Sequence, residues 1–113
     1  MPTPHLKHAV FFKFKPDADK QAIAATEKKF LALGTEIDCV RHLEGGENNS
    51  PESHDQGFTH GFMVCFDNAD DLKKIYGPHP EHTELVKLLT PIKDQIRVMD
   101  FTVKDDFTVK DSD

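Results

Sequence analysis

A chain of 113 residues with 37% hydrophobic residues and nine phenylalanines can build one domain around one core, and is too short for two. Its formal net charge of −6 excludes nonspecific nucleic-acid binding and a polybasic membrane patch, both of which need a cationic surface. No apolar run approaches the roughly 20 residues that span a bilayer, and the opening MPTPHLKHAV lacks the apolar segment and cleavage site of a secretory signal, so a cytoplasmic protein is expected.

The run HAVFFKFK (8–15) predicts a strand, from its β-branched and aromatic content. Alternation puts His8, Val10, Phe12 and Phe14 on one face and Ala9, Phe11 and Lys13 on the other, and Pro16 ends it. The next segment predicts a helix capped by Asp17 or Asp19. Its apolar stripe is Ile23, Thr26, Phe30 and Leu33, and Gly34 is placed to end it. A weaker strand follows in IDCVRHLEGGE (37–47), and residues 44–57 are turn-formers and polar residues, a loop long enough to be functional or mobile. FTHGFMVCFD (58–67) predicts a strand with His60, Phe62, Val64 and Phe66 on one face and Gly61, Met63 and Cys65 on the other. NADDLKKIYG (68–77) predicts a short helix capped by Asn68. A second helix starts at Pro80, with His79 as its cap and His82 at its third position. QIRVMDFTV (95–103) predicts the last strand.

The order β-α-β-β-α-β predicts an α+β, ferredoxin-like domain over residues 1–104, with a four-stranded antiparallel sheet and both helices on one face. Residues 105–113 form a polar tail holding the second copy of FTVKD, which first occurs at 101–105. The other face carries Phe11, Met63, Cys65, Met99 and Phe101 without helices to cover them, which predicts a homodimer in which these faces meet. Cys39 and Cys65 make no disulfide framework and are expected to be buried, reduced thiols.

The stretch YGPHPEHTEL (76–85) concentrates proton-transfer groups. If the strand phenylalanines pack beneath the helices, His8 and His60 lie on the same side as Tyr76 and His82, and four acid–base groups gather around one opening. Phe12, Phe62, Phe58 and His79 are the expected ligand-contacting set, suited to a small apolar or weakly acidic organic ligand. No nucleophile elbow or phosphate loop is present, and no cofactor or metal is expected. HPEH offers only two histidines, fewer than a zinc site usually takes.

HAVFFKFKP, the block running from GENNSPE to GFTHGFMVCF, YGPHPEH and the closing VMDF together resemble the stress-responsive A/B barrel (Dabb) family, over about residues 5 to 103. The resemblance implies a ferredoxin-like fold whose sheets pair into a dimeric α/β barrel. One plant branch, olivetolic acid cyclase, closes a linear polyketide by aldol condensation. Its pattern of two strand histidines, a tyrosine and a final histidine matches His8, His60, Tyr76 and His82, and implies that Tyr76 and His82 carry the chemistry while the strand histidines support the pocket. Phe58 stands where that branch has tyrosine, and Gly77 and Pro78 replace two bulkier residues. Three readings stay open: a homodimeric stress-response or ligand-binding protein, a cofactor-free lyase or cyclase, and a cofactor-free monooxygenase.

Overall fold

The computed structural model describes residues 5–104. β1 (Leu6–Phe14) occupies the Phe- and Val-rich run, and the chain turns away at Pro16. α1 (Lys20–Glu36) starts at Asp19, whose carboxylate accepts from the Gln21 N–H. Gly34 does not end this helix. It lies inside it, where a Cβ would stand 3.3 Å from the Leu43 Cβ of the adjacent strand. The helix instead runs to Ile37, whose extended backbone and buried side chain close it against the core, so packing overrides the local stop signal.

β2 (His42–Glu47) extends past the expected loop start, and β3 (His60–Phe66) follows. Asn68 then accepts from the Asp71 N–H and starts a single wide, π-type helical turn, Asp71–Tyr76. α2 (Pro80–Leu89) begins with Pro80 at its first turn and His79 as cap, and β4 (Lys93–Thr102) completes the chain.

The strands lie in the order β2-β3-β1-β4, every pair antiparallel, with both helices on one face: the ferredoxin-like arrangement. Leu6, Val10, Phe12, Phe62, Val64 and Phe66 pack beneath Phe30, Leu33, Leu85 and Leu89. The Phe62 and Phe30 rings stack 4.1 Å apart and nearly parallel, with Phe12 edge-on to both. The opposite face is open, with Phe11 44%, Met99 66% and Phe101 43% exposed. Met63 is only half-buried there, but Cys65, expected among the uncovered residues, is buried by its own neighbours. Both cysteines are free thiols. Among the described residues no helix is long and apolar enough to cross a membrane. The proposed tail, 105–113, with the second FTVKD copy, lies outside the described residues.

Candidate functional site

The antiparallel register decides which histidines meet. His8 in β1 pairs with Asp100 in β4, both on the helix-covered face, and their side chains bond Nδ1 to Oδ1 at 2.5 Å. A carboxylate only accepts, so His8 Nδ1–H donates to Asp100, which fixes the orientation of the ring. The wide turn delivers Tyr76, 1% exposed, over this end of the sheet, edge-on to Phe66 at 4.9 Å and to His8 at 5.9 Å. The chain then breaks at Gly77 and Pro78. The His79 imidazole caps α2 by accepting from the Glu81 N–H at 3.1 Å, and the His82 ring leans back to within 4.8 Å of the Tyr76 ring.

Burial pushes the Tyr76 hydroxyl well above its ordinary value of 10, with the nearby Cys39 adding to the effect. Burial also lowers His82 from 6.5, opposed in part by a backbone hydrogen bond at Gly77 and reinforced by His8 and His79. At neutral pH Tyr76 therefore keeps its proton and can donate a hydrogen bond, and His82 is a neutral imidazole able to accept a proton. Asp100 was missing from the sequence-based set, because only the strand register reveals it.

His60 does not join this cluster. It faces the helices as expected, but pairs with Phe12, four residues along β1 from His8, which places it about 13 Å away. Its neighbours are Phe14 at 5.0 Å between ring centroids, the Thr59 hydroxyl at 2.8 Å, and the carboxylates of Glu27 and Glu47. The expected convergence of four groups is thus three at one end of β1 and one at the other. Phe12 and Phe62 are buried core residues, although Phe62 also borders a small cavity, and His79 is occupied as the helix cap.

Phe58 does line an opening. Gly46, Gly61, Phe11 and Arg97 form one rung across all four strands on the helix-free face. The two glycines leave this rung shallow on the β2–β3 side. Over it lies the loop of residues 48–59, bound to itself by Asn48 Nδ2 donating to Asp55 at 2.6 Å and by the Gly57 N–H donating to Asp55 at 2.9 Å. Gly57 holds φ +86, a conformation side-chain-bearing residues rarely adopt. The open cleft between loop and rung has a volume of about 610 Å³, with Phe11 and Phe58 apolar, and His54, Asp55 and Arg97 polar. The Arg97 guanidinium sits 5.3 Å from the Phe58 ring centroid. A second cavity of about 340 Å³ adjoins it at Phe11 and Gly61. Sequence reasoning missed Phe11, His54 and Arg97 as cavity residues, and the loop composition was the one signal pointing there.

A model of the Stress responsive A/B Barrel Domain family matches residues 6–103. The stress-response A/B barrel domain-containing protein At5g22580 of Arabidopsis thaliana is 39% identical over 106 residues, 91% of this chain and 90% of that protein. Among solved structures, the hydroxynitrile lyase of Passiflora edulis matches with a TM-score of 0.84 at 21% identity, over 95% of this chain and 100% of that one. A dimeric protein of unknown function with a ferredoxin-like fold from Bacteroides fragilis matches with a TM-score of 0.71 at 29% identity, over 88% and 96%.

Proposed function

Because the chain belongs to the stress-responsive A/B barrel family, we propose that it is a homodimeric small-molecule-binding protein of that family. The observation that carries this is the cavity of about 610 Å³, within the size range of small-molecule sites. Phe11 and Phe58 suit the apolar body of an organic ligand, and Arg97 suits a weakly acidic group on it. The cavity opens on the face where Phe11, Met99 and Phe101 are exposed, and a second copy seated there would cover both. The Bacteroides fragilis neighbour is described as dimeric, which supports the pairing. The two buried free thiols suit a reducing compartment such as the cytoplasm. The test is titration calorimetry with 4-butylbenzoate, which combines an apolar body with a carboxylate, alongside size measurement at micromolar concentration. Saturable binding to a dimer, weakened about tenfold or more by Arg97→Ala, supports the reading. A folded monomer, or no binding at millimolar ligand, overturns it.

The cluster of His8, Asp100, Tyr76 and His82 favours a second reading, a cofactor-free acid–base lyase. Tyr76 donates a hydrogen bond to charge developing on the substrate, neutral His82 takes a proton and can return it to the leaving group, and Asp100 orients His8. His60 stands outside that cluster and has no acid–base role in this reading. The hydroxynitrile lyase neighbour has a closely similar fold and makes mandelonitrile a sensible first substrate. Release of benzaldehyde, lost in both Tyr76→Phe and His82→Ala, supports lyase chemistry. Equal rates in wild type and both variants remove these residues from it.

A further inference from the structure

His60 is 8% exposed, and its Nε2 is the one buried side-chain nitrogen or oxygen without a hydrogen-bond partner among the described residues. It is aimed at two carboxylates. Glu27 Oε1, from α1, stands 3.3 Å away, and Glu47 Oε1, its cross-strand neighbour at the end of β2, stands 3.9 Å away. The three atoms lie within 4.8 Å of one another. The other ring nitrogen is engaged: Nδ1 lies 2.8 Å from the Thr59 hydroxyl. With Nδ1–H donated to Thr59, the ring presents a bare lone pair to two negative oxygens. In that tautomer the arrangement is repulsive unless a positive charge, a proton on Nε2 or a bound metal ion, lies between them.

We propose that Glu27, Glu47 and His60 form a binding site for a first-row divalent cation, with zinc the best fit. Two ligand atoms each about 2.0–2.1 Å from a tetrahedral zinc ion are roughly 3.3 Å apart, the separation already present between His60 and Glu27. Glu47 stands 3.9 Å from His60 and within 4.8 Å of Glu27, and its exposed side chain is free to rotate and close the remaining distance, at most about 1.5 Å. One imidazole with two carboxylates suits zinc or manganese over the soft-ligand metals. With the metal on Nε2, the Thr59 hydroxyl is placed to accept from Nδ1–H as the outer hydrogen bond. Three ligands leave a coordination position open, as catalytic zinc sites do. His60 and Glu47 also line the 610 Å³ cavity, so a bound ion would stand in its wall. The site rests on its own residues and does not depend on the cavity taking an organic ligand. The ligands come from α1, β2 and β3, so no spacing motif announces them, and the sequence-based expectation of no metal had nothing to register.

The test is titration of the chelator-treated full chain with zinc chloride, and separately with manganese chloride, in a non-coordinating buffer at pH 7.5. One zinc per protomer with a micromolar or tighter Kd is expected, together with a raised melting temperature. The cobalt(II) form should show the intense visible bands of a four-coordinate ion. Glu47→Gln, at an exposed position that leaves the fold intact, should weaken zinc binding at least tenfold, and Glu27→Gln should do the same. No zinc binding by wild type, or unchanged zinc affinity in both glutamine variants, overturns the proposal. The second outcome would assign any bound zinc to the other histidines.

Discussion

Replacing Gly45 by alanine should destabilise the protein by about 1–2 kcal/mol, and the structure supplies the reason. Gly45 pairs with Phe62 across β2 and β3, and the Phe62 ring lies over it. A Cβ on Gly45 would stand 2.2 Å from Phe62 Cδ1, 2.6 Å from Cε1 and 2.9 Å from the Gly61 carbonyl oxygen. The ring has little room to withdraw, since it stacks on Phe30 at 4.1 Å and meets Phe12 edge-on at 6.0 Å. Overpacking of this kind costs about 1–3 kcal/mol. The alanine also restricts the unfolded chain, which offsets roughly 0.4–1 kcal/mol. Urea unfolding followed by circular dichroism measures the net effect. Repeating the substitution in a Phe62→Leu background removes the ring edge and should lower the cost of alanine by about 0.5–1.5 kcal/mol, the remainder coming from the Gly61 carbonyl. A neutral or stabilising Gly45→Ala in the wild-type background would refute the packing argument.

Phe12, 1% exposed and in ring contact with Phe14, Phe30 and Phe62, should cost about 3–5 kcal/mol when cut to alanine, and a loss below about 1 kcal/mol in denaturant would show its strand face to be misassigned. His82 binds protons less readily folded than unfolded, because burial disfavours the imidazolium. Its contribution is therefore complete above its ordinary value of about 6.5 and is lost as pH falls from there through the folded value. Thermal melts between pH 7.5 and 5 should show that decline, and His82→Gln should flatten it; an unchanged slope would exclude His82 as the source. Tyr76→Phe keeps the ring packed on Phe66 and His8, so the melting temperature should move little while any mandelonitrile cleavage falls by about 10²-fold or more. Unfolding of that variant would make the hydroxyl structural.

What the sequence disclosed was what neighbouring residues decide among themselves. Alternation with period two put His8, Val10 and Phe12 on the helix-covered face, and the same rule worked for His60, Phe62 and Val64. Pro80 and His79 define the start of α2 within three residues, so that cap was readable too. Gly34 misled because its role is steric clearance for Leu43, a residue from another element. The helix-free face was also legible as a class, since Phe11 lies between the buried Val10 and Phe12 and Met99 and Phe101 share its side of the sheet by register, while Cys65 on that side is buried, which its apolar character alone did not announce. Register is the same kind of information: whether His8 sits opposite Val64 or His60 depends on how β1 and β3 are offset, and no local pattern fixes that. Asp100, Arg97 and the carboxylates facing His60 were hidden for the same reason.

The offset between β1 and β3 has an energetic consequence that separates one site from two. His60 and Tyr76 lie at opposite ends of β1 and share no ring neighbour among the described residues, with His60 against Phe14 and Tyr76 against His8, Phe66 and His82. Substitutions more than about 7–10 Å apart, without common partners, add to within about 0.3–0.5 kcal/mol. His60→Gln and Tyr76→Phe should therefore be additive in urea melts, and His60→Gln should leave the His82-dependent pH slope in place. Four groups around a single opening would behave otherwise, because each change would alter the solvation and charge seen by the others. A coupling energy above about 1 kcal/mol, or a pH slope that vanishes with His60, would mean that the two ends communicate and that the acid–base cluster extends along the strand.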